Sequence, residues 1–339
     1  MAYAVWQDLD VIINTDSPLE YNVWTSEDQQ LMDNIYTGIA TPKPSEDNVK
    51  IRLNEYAKNV CNSDINFEED ELFSEDYSYN ILPNYSCDLS IIYTGSTGNV
   101  SEITKTFVNN YDYNAYAYIG PSVVMISDPI YNTYGELGYI WLSVYNGGES
   151  TVKLDVVNDD KGSIYSSMEL GPHKATMFQL FDALLGRYKI WLNNTYVIYM
   201  FEVVPNCHRY RLHYINAKGG YDSMNIEGLK DKRSDEFNFE YYKARGSNAS
   251  IMNPQMNKFK VDITPKWTLT TGWLNDAQSL KMYNLFTSQK IWLEDTSNGK
   301  IYPVFISDKT LDYKTYTNNG KKKISYNINV TSCNTIVKL

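Results

Sequence analysis

Two Asn-Gly pairs near the end of the chain leave little choice of local fold. Ile291-Trp-Leu-Glu294 and Lys300-Ile-Tyr-Pro-Val-Phe-Ile306 flank Asn298-Gly299. Tyr313–Thr317 and Ile324–Val330 flank Asn319-Gly320. Asn-Gly between two β runs predicts a hairpin, because the tight turn needs positive φ. In the last run Ile324, Tyr326, Ile328 and Val330 share one face, with Ser325, Asn327 and Asn329 opposite. That two-residue period is the pattern of a half-buried strand. Ahead of the first hairpin, Asn275 and Gln278 stand at close to capping-box spacing. Leu280, Tyr283 and Phe286 then step three by three, which predicts a helix over 276–288 with one apolar stripe.

The middle of the chain reads as antiparallel β. Tyr139–Tyr145 and Thr151–Val157 surround Asn146-Gly-Gly148, a hairpin signal. On the second run Val152, Leu154 and Val156 share a face, and Lys153 and Asp155 share the other. Residues 188–204 give another strand pair around Asn193-Asn194. Nearer the start, residues 3–13 and 20–24 read as strands. Ile51–Ile65 reads as a strand end and a short helix that Asn54 can cap, with Tyr56, Ala57, Val60 and Cys61 at helical spacing. The acidic run 67–71 reads as a solvated loop, since it lacks the spaced ligands and glycine turn of a calcium site.

The fold class expected is therefore mainly β with α+β elements: antiparallel β-sandwich-like domains with a few short helices. A chain of 339 residues is long enough for two or three domains. The expected division is a mixed β domain over 1–105, a sandwich over 106–205 and an α+β domain over 206–339. No fixed-period repeat, heptad or low-complexity segment interrupts it.

Composition narrows the function. The formal charge is −11, which disfavours coating nucleic acid, since phosphate neutralisation needs clustered cations. Thirty tyrosines, against 11 Phe and 7 Trp, suit strands and half-wet contact surfaces. Neither a basic n-region with an apolar h-region nor a run of about 20 apolar residues occurs, so neither export nor a membrane span is expected. Cys61, Cys87, Cys207 and Cys333 form no CxxC pair and read as reduced thiols of a cytoplasmically made protein.

Motifs that carry chemistry are missing. The three histidines, His173, His208 and His213, make no HExxH or similar spacing. On a strand over 207–213 His208 and His213 face opposite ways, which argues against a shared metal. The same alternation groups Arg209, Arg211 and His213 on one face. That strip could meet an acidic partner, or it could be an exposed face balancing the protein's own carboxylates. No Walker loop, GxGxxG, GxSxG or kinase signature occurs. The expectation is a non-enzyme with no cofactor, no metal and no catalytic residue. Among the aromatics, Trp267, Trp273 and Tyr313 stand out as possible interface anchors. Trp292, Tyr241, Tyr242 and Tyr316 lie near them in sequence. Core packing, a subunit interface and a sugar-stacking platform all fit that pattern.

Several segments are familiar together. Tyr214–Gly228 resembles an "N-x-x-G-G-x-D-S/T" box in structural proteins of tailed phages and prophages of Bacteroidetes. Thr271-Gly-Trp-Leu274, Leu285–Glu294, Ile301–Thr310 and Tyr313-Lys-Thr315 are similar in order to the C-terminal pattern of that group. Ile35–Ala40 with Ile51–Tyr56 is similar to its N-terminal pattern. The resemblance implies a ring, hub or distal-tail protein of a phage tail, crAss-like phages included. It implies a homo-oligomer that contacts other tail proteins, made in the bacterial cytoplasm and carried in the virion. It supplies no catalytic residues. A receptor- or glycan-binding tail-tip or fibre module is the alternative, with a host surface glycan as partner, and a tail-borne depolymerase is a further one. Fibres usually show repetitive β segments, and their absence favours a ring or hub.

Overall fold

The computed structural model describes residues 2–4, 9–27, 30–43, 46–61, 79–82, 85–94, 99–108, 123–127, 133–205, 209–242, 256–274, 276–307, 314–318, 321–334 and 336–338. Among these the chain forms 26 strands and two helices, a mainly antiparallel β protein as the sequence predicts. No helix among the described residues is long and apolar enough to cross a membrane. Two compact units emerge, and they interleave along the chain. The first takes residues 1–133, 139–203 and 215–222; the second takes 134–138, 204–214 and 223–339.

The first unit opens with a five-stranded sheet. Its order is Ala2–Ala4, Val100–Val108, Ser86–Thr94, Leu19–Glu27 and Gln30–Ala40. Only the first pair is parallel. A two-stranded ladder, Asp10–Asn14 with Asn48–Arg52, turns Val11, Ile13, Val49 and Ile51 inward by strict alternation. Helix Leu53–Val60 follows at once and buries Leu53 and Ala57 in the same cluster. Its N-cap is Arg52, with no side-chain cap bond. Asn54, expected to be the cap, lies inside the helix and is buried. All members of this core fall between residues 9 and 107.

Further strands of this unit form two sheets. One is ordered Tyr79–Leu82, Ala175–Phe181, Tyr139–Asn146 and Val123–Met125. In the other, Tyr196–Val204, Gly186–Leu192, Val152–Asn158 and Ser163–Leu170 follow one another. The Tyr165 hydroxyl spans from one to the other, donating to the Phe181 carbonyl and accepting from its N–H, both at 2.9 Å. The Asn193-Asn194 hairpin is present as expected. Both residues have positive φ, and Thr195 N–H donates to Leu192 O at 2.9 Å. The Gly147-Gly148 hairpin is not. Tyr139–Asn146 and Val152–Asn158 lie in different sheets, so the glycines make a crossover between layers. Buried Asn146 fixes it: its amide donates to the carbonyls of Ser150, Leu170 and Gly171, and its carbonyl accepts from Gly148 N–H. Asp155, expected to be outward, is buried, with Lys153 Nζ at 3.0 Å from its carboxylate.

The second unit is built on one large sheet. Its order is Tyr221–Ile226, Tyr210–Ile215, Ile291–Asp295, Lys300–Ile306, Asn327–Ser332, Met256–Thr270 and Gly228–Tyr242, and Ile336–Lys338 also pairs with Met256–Thr270. The tip of its first hairpin, 215–222, counts with the first unit. The hairpin at Asn298-Gly299 is confirmed, with Gly299 at φ +64°. Lys314–Asn318 pairs with Lys321–Ser325, so a hairpin spans the second Asn-Gly, though Asn319 and Gly320 themselves lie outside the described residues. The expected second strand 324–330 is split, however: Asn327–Ser332 leaves the hairpin and joins the large sheet between Lys300–Ile306 and Met256–Thr270. Tyr326, Ile328 and Val330 are buried and Asn327 and Asn329 are exposed, as the alternation requires. Helix Asp276–Thr287 is where the sequence places it, but its stripe is rotated. Met282 and Leu285 face the core, while Tyr283 is 64% exposed. The proposed cap Asn275 and the side chains of Gln278 and Leu280 lie outside the described residues, as do residues 67–71.

Candidate functional site

The strand Tyr210–Ile215 is buried along its whole length, on both faces. Alternation sends Tyr210, Leu212 and Tyr214 into the apolar core. Arg211 and His213 point the other way, and they too are almost wholly buried. Neighbouring strands supply their partners. Tyr221–Ile226 adds Ser223 and Asn225; Ile291–Asp295 adds Glu294, which lies directly across the ladder from Arg211.

The result is two buried sets of hydrogen bonds side by side, one on His213 and one on Arg211. His213 Nδ1 lies 2.8 Å from Ser223 Oγ, and His213 Nε2 lies 2.8 Å from Glu294 Oε2. Arg211 Nε donates to Asn225 Oδ1 at 3.1 Å, and Nη2 donates to the Gly135 carbonyl at 2.9 Å. That last bond ties residues 134–138 to the unit. Gly138 then presses on the carboxylate: a Cβ there would stand 2.2 Å from Glu294 Oε1, at a φ of +77°. Only glycine meets both demands.

Burial lowers the His213 pKa, against the opposing pull of the Glu294 hydrogen bond. The ring is neutral near pH 7, so Nε2–H donates to Glu294 and Nδ1 accepts from the Ser223 hydroxyl. A serine, a histidine and a carboxylate joined in this way are the parts of an acid–base relay. Here all three are fully buried. The cluster's effect is to fix one tautomer and hold one loop. Alternation puts Arg211 and His213 on one face, but nothing in the sequence says that Ser223, Asn225 and Glu294 would cover them.

This corrects the expected exposed strip at Arg209, Arg211 and His213. Only Arg209 is exposed, and it forks onto Asp295 at 3.0 and 2.8 Å. One of the protein's own carboxylates, Asp295, balances Arg209. Burial tends to raise the Asp295 pKa, but hydrogen bonds from Arg209 and Ser297 outweigh it and hold the group low. His208 lies outside the described residues. His173 sits apart from His213, 3.4 Å from Glu149.

The "N-x-x-G-G-x-D-S" box is a turn device in the first unit, continued by Ser223. Asn216 Oδ1 accepts from the N–H groups of Lys218 and Gly220; its Nδ2 donates to Ile126 O at 2.8 Å and Asp222 Oδ2 at 2.7 Å. Gly219 has φ +75°, and Gly220 leaves room for Ile126, whose side chain would stand 2.9 Å from an added Cβ. Ser127 and Ser143 hydroxyls both donate to Tyr221 O.

Two of the three expected anchors are described. Trp267 is 3% exposed and packs in the apolar core against Tyr302, with Lys232 over its ring. Trp273 is 53% exposed. Tyr313 lies outside the described residues. A groove of about 420 Å³ runs past Arg233, Lys266, Trp267, Thr268, Ser307 and Asn329. Its cations are matched by Asp231 and Asp235, and Thr268 and Ser307 bond to Asn329. Buried Trp267 offers little ring to a sugar.

A different surface is more open. Gln30–Ala40 ends its sheet, and residues 33–37 and 39 are exposed, so both faces of the strand meet solvent. Ile35, Tyr36 and Ile39 are among them, Ile39 at 67%. Tyr36 rests against the rings of Tyr21 and Tyr56. No protein-family model matches the sequence, and no curated protein matches it.

Proposed function

We propose that this chain is a structural component of a phage virion tail, a ring, hub or distal-tail subunit acting in tail assembly. The observation that carries the reading is the strand Gln30–Ala40. Among the described residues its outer edge is unpaired, and it exposes apolar side chains on an eleven-residue strand. An edge of that kind invites a further strand from a partner, and natural proteins otherwise blunt it. It also contains Ile35–Ala40, one of the segments that resembles the phage group. Gly228–Tyr242, fifteen residues and about 50 Å long, ends the large sheet in the same way.

On this reading the protein is non-catalytic, and its partners are other tail proteins and copies of itself. A symmetric assembly reuses one patch in every subunit, with on the order of 800 Å² buried per side. Mass spectrometry of purified virions should find the chain in several copies per particle. Ile35→Lys with Ile39→Lys should melt like the parent yet stay out of particles. A chain absent from virions ends the proposal. Complete, infectious particles formed without it would favour a dispensable glycan-binding role.

A further inference from the structure

Two of the cysteines meet in the first unit. Cys61 ends helix Leu53–Val60, and its N–H donates to Ala57 O at 2.8 Å. Its thiol points at the Phe107 carbonyl, 3.8 Å away. Phe107 stands directly across the ladder from Cys87. Cys87 packs against the same core cluster that holds Cys61. Helix end and strand thus bring together two thiols well separated in sequence. Both are free in this structure.

Their surroundings differ in a useful way. Cys61 is buried, while Cys87 is partly open to solvent. A small oxidant therefore reaches Cys87 first, with Cys61 already beside it. We propose that Cys61 and Cys87 form a redox centre that hydrogen peroxide converts to an intramolecular disulfide. The Cys87 thiolate attacks one peroxide oxygen; the O–O bond breaks, giving a sulfenic acid and hydroxide, which takes up the thiol's proton as water. The Cys61 sulfur then attacks the Cys87 sulfur, the S–OH bond breaks, and a second water leaves with the Cys61 proton. Two thiols are oxidised by two electrons and one peroxide is reduced. A disulfide needs its sulfurs about 2.05 Å apart, and Cys61, whose thiol faces the Phe107 carbonyl, lies in the same cluster as Cys87 across the ladder from Phe107.

The neighbouring Cys61 thiol and burial both raise the Cys87 pKa, which keeps the thiolate scarce. Closure is accordingly slow, and the reduced form persists until oxidant is sustained. The bond would link the helix end to the sheet across residues 62–86.

The experiment uses the full chain with Cys207→Ser and Cys333→Ser. It is treated with hydrogen peroxide, denatured, alkylated and digested. The expected product is one cross-linked peptide pair, Cys61 with Cys87, reopened by reductant, in a protein melting about 5 °C higher or more. Adding Cys61→Ser should abolish the cross-link. Two thiols still alkylatable after prolonged oxidation would overturn the proposal, as would Cys87 accumulating as sulfinic acid without a bridge. If the serine background fails to fold, the same digest on the natural sequence decides. Cys61 joined to Cys87 supports the centre, and either one joined only to Cys207 or Cys333 refutes it.

Discussion

One strand, Tyr210–Ile215, separates two interiors of opposite chemistry. On one face Leu212 and Tyr214 meet Met224, Leu269, Leu293 and Ile328, and burial alone is favourable. On the other, Arg211 and His213 are as deeply buried but gain nothing from leaving water. They persist because Glu294, Ser223, Asn225 and the Gly135 carbonyl meet their polar atoms. The apolar face tolerates many substitutions of similar volume. The polar face tolerates few, since each group is the partner of another. Depth of burial therefore says little about how a region responds to change.

The sharpest way to test this contrast is to remove one charge. Glu294→Ala should cost about 3–5 kcal/mol in urea unfolding, since it strands the partners of a buried carboxylate. A loss below about 1 kcal/mol would show that water reaches the cluster. Leu212→Ala, on the apolar face, should cost about 3 kcal/mol through lost burial and a cavity. If it costs more than Glu294→Ala, the ranking of the two faces is reversed. Gly138→Ala should cost about 2 kcal/mol, because the new methyl must displace Glu294 in a left-handed backbone. A neutral result would mean that residues 134–138 are not held by the cluster.

The smallest effect is the one set by pH. Unfolded, His213 titrates near its ordinary value of 6.5; folded, burial moves it lower, with Glu294, Ser223 and Arg211 facing it. Between those values the unfolded chain binds more protons, so stability rises with pH. The contribution is whole above about 6.5 and is lost as pH falls toward the folded value, by at most about 1.4 kcal/mol per pH unit. Urea midpoints between pH 7 and pH 5 should fall less steeply for His213→Gln than for the parent. Parallel curves would remove the histidine from the account.

How much of this was legible depended on range. Asn193-Asn194 and Asn298-Gly299 turned as read, because their backbone demand is local. Gly147-Gly148 misled because glycine permits a turn without saying which sheet the next strand joins. The helix at 276–287 was found, yet Tyr283 faced out and Met282 in: a tyrosine can leave its hydroxyl wet, while methionine fills an irregular gap. The thirty tyrosines foretold strands but not which would be buried. The polar cluster was legible only in part. Alternation puts Arg211 and His213 together, but their cover comes from Gly135, 76 residues away, and Glu294, 81 residues away.

Those separations also set a timetable for a chain leaving the ribosome. The second unit claims residues 134–138 early, yet the arginine that binds the Gly135 carbonyl emerges 76 residues later. The glutamate that completes His213 follows 81 residues after that histidine. At about 5–20 residues per second, each wait lasts about 4–16 seconds. Through it the nascent strand Tyr210–Ile215 carries an arginine and a histidine without their carboxylate, beside three large apolar side chains. Neither unit can be cut free as one contiguous piece, and a chain released only to residue 222 holds every segment of the first unit and a second unit still lacking most of its sheet.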